Sequence, residues 1–207
     1  MSEKKSRHNL LVISGPSGTG KSTLIHMLLE EFPQLNFSVS HTTRPRRANE
    51  IDGRDYHFIS ARQFERMIDR GDFAEWADVH GHRYGTSWRE IRAKSSGQRI
   101  LVLDLDVQGA RSIKREFPEA LMVFIVPPSL ADLRQRLLKR GQPPDAEFDR
   151  RLKTAIKELR QASRYDLLIV NESLEPAYGI LRCLLVTYRQ RPLFQQKAID
   201  RLLKGVT

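Results

Sequence analysis

A glycine-rich segment near the start of the chain constrains the fold more than any other feature. The apolar run 10–13 leads into Gly-Pro-Ser-Gly-Thr-Gly-Lys-Ser at residues 15–22, which fits G-x-x-x-x-G-K-[ST] at full spacing. Glycines let the backbone curl so that several N–H groups point at one anion. The amphipathic run 21–32 would then place a helix N-terminus under that anion. The segment predicts a strand, a loop that binds the phosphates of a nucleoside triphosphate, and a helix.

The residues of this loop would have different roles in binding a nucleoside triphosphate. Lys21 would reach the β- and γ-phosphates, and the Ser22 hydroxyl would ligate the Mg²⁺ ion that accompanies the nucleotide. Mg²⁺ is therefore the cofactor that the sequence predicts. The residues predicted to bind ATP in this loop are Gly15, Pro16, Ser17, Gly18, Thr19, Gly20, Lys21, Ser22 and Thr23.

Apolar runs that alternate with helix-like stretches predict an α/β fold: a three-layer P-loop core whose parallel sheet is covered by helices on both faces. Strands are predicted at 10–13, 100–105, 121–126 and 167–170, and helices at 21–32, 107–116, 130–140, 148–162 and 174–189. Residues 37–87 break this rhythm with short alternating pieces around a helix-like stretch at 61–70, and predict a small inserted mixed subdomain. The chain is predicted to form one domain, with its core at 8–36, 88–130 and 160–207 and a helical lid at 136–151.

Length, composition and charge restrict the class of protein. With 207 residues, of which 40% are hydrophobic and 29% charged, the chain suits one soluble globular domain. Its net charge of +10 suits either a surface that binds nucleic acid or arginines gathered around phosphorylated small molecules. The arginines are spread among helices and loops, which favours small molecules, so no nucleic-acid partner is predicted. The polar N-terminus does not resemble a signal peptide, and no run approaches the ~18 apolar residues of a membrane span. A cytoplasmic protein without membrane contact is predicted.

Two features of the C-terminal part concern packing. Cys183 is the only cysteine, which excludes an intrachain disulfide, and its place in the apolar run 181–186 predicts a buried structural thiol. Residues 190–207 are basic and are predicted to be helical. They would pack on the core or contribute to a dimer contact, so a monomer and a homodimer both stay open.

A second phosphate site is suggested by Ser-His-Thr-Thr-Arg-Pro-Arg-Arg at residues 40–47. Guanidinium forks bind phosphate oxygens bidentately, although an exposed basic loop is an equally good interpretation. Glu75 could accept from two adjacent N–H donors such as those of guanine, but alone it suits a surface carboxylate, and its neighbour Trp76 suits the core. His80 and His82 flank a glycine with no third ligand evident, so no metal site is predicted there.

Acidic and basic residues mark two further candidate sites. Asp104 and Asp106 close an apolar run, and on a strand they would share one face. They could orient Mg²⁺ through water or contact a bound base. Asp106 could also cap the helix that begins near residue 107, and the two roles can coexist. The arginines of 136–151 surround a Gly/Pro-rich loop, which predicts either a lid over a transferring phosphoryl group or a solvated helical hairpin.

Together these motifs resemble the guanylate kinases, the ATP:GMP phosphotransferases, over nearly the whole chain. The resemblance rests on Ser-Gly-Pro-Ser-Gly-x-Gly-Lys-Ser, Ser-His-Thr-Thr-Arg, Asp-Gly-x-Asp-Tyr, Tyr-Gly-Thr, Leu-Asp-x-Asp-x-Gln-Gly and Leu-Ile-Val-Asn. It implies an enzyme of purine nucleotide metabolism that transfers the γ-phosphoryl group of ATP reversibly to GMP. It also implies a parallel-sheet P-loop core, a mobile GMP-binding subdomain and a lid.

The resemblance also implies roles for residues at matching positions. The residues implied to bind GMP are Ser40, Glu75, Thr86 and Asp104 at the base and Arg44, Arg47, Tyr56 and Tyr84 at the phosphate. The implied catalytic residues are Lys21, Arg44, Arg136, Arg140 and Arg151, and Asn171 is implied to lie near the adenine.

The sequence departs from the family pattern at three places. Pro45 comes one position early, which makes Arg46 a second candidate beside Arg47 for binding the phosphate. Arg83 replaces the first tyrosine of Tyr-Tyr-Gly. Residues 142–147 replace the usual acidic lid stretch. Three other functions stay open: a phosphopeptide-binding scaffold of the same fold, a kinase with another phosphorylated acceptor, and an ATP-driven nucleic-acid protein. Acceptance of dGMP is not predicted either way, because no residue can be tied to the 2′-hydroxyl.

Overall fold

The computed structural model describes residues 8–79, 81–95, 99–139 and 146–204. The strands in this part of the chain are β1 (Asn9–Ser14), β2 (Asn36–Phe37), β3 (His41–Thr42), β4 (His57–Phe58), β5 (Phe73–Val79), β6 (His82–Ser87), β7 (Ile100–Asp104), β8 (Leu121–Val126) and β9 (Leu167–Val170). The α-helices are α1 (Lys21–Glu31), α2 (Ala61–Asp69), α3 (Trp88–Lys94), α4 (Val107–Glu116), α5 (Leu130–Lys139), α6 (Ala146–Leu159), α7 (Leu174–Tyr188) and α8 (Gln196–Leu203). Short 3₁₀ helices lie at Ala162–Arg164 and Pro192–Phe194.

Five strands form the main sheet in the order β2-β7-β1-β8-β9, and every neighbouring pair is parallel. β1 lies in the middle, with Ile13 opposite Asp104 of β7 and Ser14 opposite Phe124 of β8. The carboxyl ends of β1 and β7 therefore lie side by side, so the loop that follows β1 begins beside Asp104. The predicted parallel sheet is confirmed, and β7 ends one residue earlier than predicted.

Helices cover both faces of this sheet because side chains alternate along the buried strands. Leu11 and Ile13 of β1 belong to a buried cluster with residues of α1 and α7. Leu10 and Val12 point the other way and belong to a second cluster with residues of α3 and α4. The three-layer core predicted from the sequence is confirmed.

The edge strand β9 departs from the predicted pattern. Ile169 is buried, whereas Leu167, Leu168 and Val170 are 43%, 48% and 46% exposed. Among the described strands β9 pairs with β8 alone, because it closes the sheet on that side. The expectation that both faces of the whole sheet are covered is therefore wrong at this strand.

A second, mixed sheet is built from residues in 37–87, in the order β4-β3-β6-β5. β3 runs parallel to β4 and antiparallel to β6, and β6 runs antiparallel to β5. α2 starts at a capping box of Ser60 and Gln63 and stacks Phe64 on Phe73 of β5, with ring centroids 4.5 Å apart. The predicted small mixed subdomain is confirmed as a sheet with one helix, whereas the domain boundaries stay predictions. Trp76, expected in the core, is 42% exposed because it alternates with the buried Glu75 along β5.

The predicted lid corresponds in part to α5 and α6. These two helices share a buried cluster of Leu133, Leu137, Phe148 and Ala155. α6 begins two residues before its predicted start and ends three residues before its predicted end. Arg140 and residues 142–145 of the predicted lid lie outside the described residues, and so does His80.

The prediction for Cys183 is wrong, because this thiol is exposed. α7 buries Ala177, Leu181, Leu185 and Tyr188, which lie on one face of the helix at spacings of three and four. Cys183 falls on another face, so the apolar run around it did not indicate burial. No described helix combines the length and the apolar character that crossing a bilayer requires. A monomer and a homodimer both stay open as predictions.

Candidate active site

The loop between β1 and α1 has a backbone that requires its glycines. Gly15, Gly18 and Gly20 have φ angles of +140°, +89° and +89°, which residues with a side chain rarely adopt. A Cβ atom on Gly20 would also collide with the side-chain amide of Asn171, which donates from Nδ2 to the carbonyl of Thr19 at 2.8 Å. Asn171, directly after β9, therefore fixes the shape of this loop.

Lys21 starts α1, and its ammonium group folds back over the loop. Its Nζ donates to the carbonyl oxygens of Gly15 at 2.6 Å and Pro16 at 3.2 Å. The first turn of α1 contains no acidic residue. Lys21 and the N-terminus of α1 thus give this end of the helix a positive potential, which suits polyphosphate.

Ser22 and Asp104 meet where α1 approaches the end of β7. The Ser22 hydroxyl donates to Oδ2 of Asp104 at 3.3 Å. Burial raises the pKa of Asp104, and the charge of Lys21 and the hydrogen bond from Ser22 oppose that shift. A hydroxyl and a carboxylate are hard oxygen ligands, so this pair fits a Mg²⁺ ion that arrives with phosphate oxygens. Across the described residues, no group of three or more His, Cys, Asp or Glu side chains is arranged to hold a metal.

Asp106 differs from its predicted position. It follows the end of β7 and caps α4: its carboxylate accepts from the N–H of Gly109 at 2.8 Å and from Nε2 of Gln108 at 3.3 Å. The prediction that Asp104 and Asp106 share a strand face is wrong, because β7 ends at Asp104. The alternative of a helix cap is confirmed.

Glu75, Ser40 and Thr86 come together on the second sheet. Glu75 of β5 lies opposite Thr86 of β6, and Ser40 Oγ lies 3.3 Å from Thr86 Oγ1. All three are buried. Burial raises the pKa of Glu75 to about 7, hydrogen bonds from Thr86 oppose that shift, and the charge of Asp106 adds to it. A buried carboxylate beside two hydroxyls can accept from a pair of adjacent N–H donors.

Contacts between the second sheet and the core place Glu75 against α4 and Tyr56 near the end of β7. A Cβ atom on Gly109 of α4 would lie 2.5 Å from Oε2 of Glu75, so only glycine leaves room for the carboxylate. Burial raises the pKa of Tyr56, and the charge of Asp104 adds to that rise. The second sheet therefore faces the acidic end of β7 and the start of α4.

Arg44 is held from several sides. Its Nε donates to the Tyr84 hydroxyl at 3.2 Å, and its two terminal nitrogens donate to the Glu50 carboxylate at 2.6 and 3.0 Å. The guanidinium carbon lies 5.5 Å from the ring centroid of Tyr56 and 5.7 Å from that of Phe58. A carboxylate thus occupies the fork of an arginine that the sequence predicts to hold a phosphate.

Arg46 and Arg47 remain on the surface of this loop. Both are exposed; Arg46 donates through Nη1 to the Glu50 carbonyl at 2.8 Å, and Arg47 donates through its backbone N–H to the Glu50 carboxylate at 2.8 Å. Glu50 is therefore a site residue that the sequence analysis missed. The sequence did contain a local indication, because Glu50 is the first carboxylate after Arg44 and follows it by six residues.

Two lid arginines contact the loop region. Arg151 of α6 donates through Nη2 to Ser17 Oγ at 3.0 Å. Arg136 of α5 donates through Nη2 to the carbonyl oxygens of Asn171 at 2.8 Å and Glu172 at 3.2 Å. Arg151 therefore contacts the phosphate loop itself, and Arg136 contacts the segment after β9 whose Asn171 donates to that loop. The catalytic roles of both arginines stay predictions.

Glu158 is a second site residue that the sequence analysis missed. It is half-buried on α6, two turns beyond Arg151 and so on the same side of that helix. Burial raises its pKa to about 7, the charge of Lys21 opposes that shift, and Asp106 adds to it. The only indication in the sequence was that Glu158 follows Arg151 by seven residues, and this spacing is not part of any motif.

Comparison with known proteins gives one consistent family. The guanylate kinase family model matches residues 7–188. The guanylate kinase of Nitratidesulfovibrio vulgaris is 45% identical over 196 residues, 95% of each chain, and that of Thermotoga maritima is 42% identical over 192 residues, 93% of each chain. The crystal structure of guanylate kinase from Anaplasma phagocytophilum matches with a TM-score of 0.74 and 29% identity, covering 97% of this chain and 96% of that one.

Proposed function

The chain belongs to the guanylate kinase family and is an ATP-dependent kinase of GMP, and we propose how its residues divide that reaction. Glu75, Ser40 and Thr86 bind guanine, and Arg44 with its two neighbouring tyrosines holds the GMP phosphate. The loop at residues 15–23 and Lys21 hold the ATP phosphates. The observation that supports this division best is the buried carboxylate of Glu75, which lies against Gly109 of α4.

Recognition of the base follows from the chemistry of a carboxylate that only accepts hydrogen bonds. Guanine offers two adjacent N–H donors, N1 and N2, to the two oxygens of Glu75, whereas the corresponding edge of adenine offers no such pair. The hydroxyls of Ser40 and Thr86 can donate or accept as the base requires. The hydrogen bond between Asp104 and Ser22 supports a position for Asp104 nearer the phosphates than the base.

The transfer step needs no nucleophilic side chain. An oxygen of the GMP phosphate attacks the γ-phosphorus of ATP, a new P–O bond forms, and the bond to the β-phosphate oxygen breaks to release ADP. The protein contributes position and positive charge, which is what phosphoryl transfer demands. Lys21 and the lid residues Arg136 and Arg151 lie close enough to the loop to supply that charge.

Mg²⁺ bound with ATP supplies further neutralisation of the phosphate oxygens. Ser22 would ligate it, and Asp104 would hold one of its waters, because these two oxygen groups already lie 3.3 Å apart. Asp106 is engaged by Gly109 and Gln108 at the cap of α4, which favours a role at the base side of the cleft instead.

Binding must replace several hydrogen bonds that the arginines make within the protein. Arg151 donates to Ser17, and Arg136 to the carbonyl of Asn171. Phosphate oxygens are stronger acceptors than a hydroxyl or a carbonyl, so the triphosphate can draw both groups inward. Closure of α5 and α6 in this way would exclude water and suppress hydrolysis of ATP.

The test is release of ADP from Mg-ATP with GMP, AMP, CMP, UMP or no acceptor at one fixed salt concentration. We expect release that depends on GMP. Release with another acceptor would keep the phosphate machinery and remove guanine from the proposal. No release with any acceptor, despite binding of ATP, would favour the scaffold or nucleic-acid alternatives.

Glu50→Gln should raise the KM for GMP about 10-fold with a smaller change in kcat. The carboxylate accepts from both terminal nitrogens of Arg44, so a neutral amide that offers one acceptor oxygen would let the guanidinium rotate away from the phosphate. Initial-rate kinetics with varied GMP would measure the effect, with Glu65→Gln, an exposed carboxylate that pairs with Arg83, as the matched control. A lower KM for GMP would mean that Glu50 competes with the phosphate instead of positioning Arg44.

A further inference from the structure

A cleft outside the ATP and GMP sites lies between α4 and the turn that leads from α6 into β9. Its volume is about 270 Å³. One wall carries Arg111 and Arg115 of α4, and the facing wall carries Arg164 of the 3₁₀ helix Ala162–Arg164. We call this the α4 cleft, and none of its lining residues belongs to the proposed division of the kinase reaction.

Three of the four cationic side chains that line the α4 cleft make no salt bridge within the described residues. Arg111 and Arg115 are one helical turn apart, and Arg164 faces them from across the cleft. All three are exposed, and no salt bridge joins any of them to a carboxylate of the described residues. Lys114, also in the lining, pairs with Asp166 at 3.2 Å. Like charges one turn apart destabilise a helix, so an anion bound between these arginines would relieve a repulsion.

The floor of the α4 cleft is apolar and well fixed. It is formed by Val107, Met122 and the ring of Tyr165. The Tyr165 ring packs on Phe124 with centroids 4.5 Å apart, and its hydroxyl oxygen is buried. A rigid apolar floor under a cationic rim suits a flat apolar group that carries an anionic substituent.

We propose that the α4 cleft binds a small organic phosphate whose phosphate group contacts Arg111, Arg115 and Arg164 and whose flat apolar part rests on Met122 and Tyr165. The fork of an arginine matches two phosphate oxygens, and three forks around one cleft favour a dianion over a carboxylate. The cavity lies just below the 300–1,000 Å³ range of pockets for drug-sized ligands, which limits the ligand to about one ring system.

The test uses phenyl phosphate as the probe and ¹³C-methyl methionine NMR as the readout. Met122 reports on the cleft, whereas Met27 of α1 and Met67 of α2 report elsewhere. We expect phenyl phosphate to shift the Met122 methyl saturably, and inorganic phosphate or benzyl alcohol at the same concentration to bind more weakly. Equal shifts with benzyl alcohol, or no saturable shift of Met122, would overturn the proposal.

A double variant links binding to the arginines. Arg111→Gln with Arg164→Gln should weaken phenyl phosphate about 10-fold or more, because two charge-assisted contacts are lost. Arg66→Gln with Arg89→Gln removes two exposed arginines elsewhere and should leave the affinity unchanged. An unchanged affinity in the first double variant, with thermal melting like that of wild type, would refute the site. GMP-dependent ADP release should persist in both, which separates this proposal from the kinase reaction.

Discussion

Lys21→Ala should lower kcat by about 10²–10³-fold, because it removes a cation aimed at charge that develops in the transition state. Nζ of Lys21 donates hydrogen bonds to the carbonyl oxygens of Gly15 and Pro16, so the loop holds the ammonium group in place without a bound nucleotide. A group held in this way stabilises the transition state without reorganisation at the moment of transfer. Steady-state turnover with saturating Mg-ATP and GMP would measure the loss.

Two controls separate this effect from a loss of structure. Lys204→Ala removes an exposed lysine at the end of α8 and should leave turnover unchanged. Lys21→Ala also removes the largest effect that opposes the rise of the Asp104 pKa, so the pKa of Asp104 should rise further. A thermal melt of the variant would show whether it is folded at the assay temperature. Near-normal turnover in a folded Lys21→Ala variant would contradict the assignment of Lys21.

The main sheet and the phosphate loop could be predicted because their signals are local. The strands β1, β7 and β8 are apolar runs that helices bury, and the spacing of glycines in the loop is typical of a backbone that binds phosphate. The exposure of Cys183 and of β9 could not be predicted in this way. An apolar run shows that a segment can be buried, but the order of strands in a sheet decides which one lies at the edge.

In the candidate site, too, the residues that belong to local motifs could be predicted and the others could not. Glu75, Ser40 and Thr86 were expected from motifs, and their side chains do meet on the second sheet. The position of Asp106 depended on where β7 ends, so only the structure shows that it caps α4, while its predicted role toward Mg²⁺ or the base stays a prediction. Glu158 faces Lys21 across more than a hundred residues of chain, so no local pattern could have paired them.

Glu75→Gln should separate binding from stability. The KM for GMP should rise about 100-fold, because an amide offers one acceptor oxygen and places an N–H₂ group against the N–H donors of guanine. The KM for ATP should change little, since Glu75 lies on the second sheet away from the loop. Initial rates with each substrate varied in turn would measure both. An equal effect on the two substrates would contradict the role of Glu75 at the base.

The pH dependence should follow from the same carboxylate. Only ionised Glu75 accepts two hydrogen bonds, and burial raises its pKa to about 7, so the KM of wild type for GMP should rise as pH falls below 7. The phosphate of GMP also titrates near pH 6, and it does so with wild type and with Glu75→Gln alike. The difference between their two pH profiles of the KM for GMP therefore reports on Glu75. Profiles that run parallel from pH 6 to 8.5 would show that Glu75 does not titrate in this range.

The stability of the enzyme without GMP should depend on pH in the opposite sense, falling as pH rises. The pKa of Glu75 is about 7 in the native state against an ordinary 4.5, so the native state binds more protons than the unfolded chain between these values. Stability is therefore lost as pH rises through this window, and ionised Glu75 costs on the order of 2–4 kcal/mol at pH 8. Glu75→Gln stays neutral and should raise the free energy of unfolding at pH 8 by about 1–3 kcal/mol, with little change at pH 5.

Urea unfolding at pH 5 and pH 8, without nucleotide, would measure this difference. Glu119→Gln, at an exposed position, is the matched control and should leave the free energy of unfolding unchanged at both values. A gain for Glu75→Gln that is the same at pH 5 and pH 8 would come from packing of the amide and would contradict a buried charge. A gain confined to pH 8, together with weaker binding of GMP, would mean that the fold tolerates a destabilising carboxylate because guanine requires it.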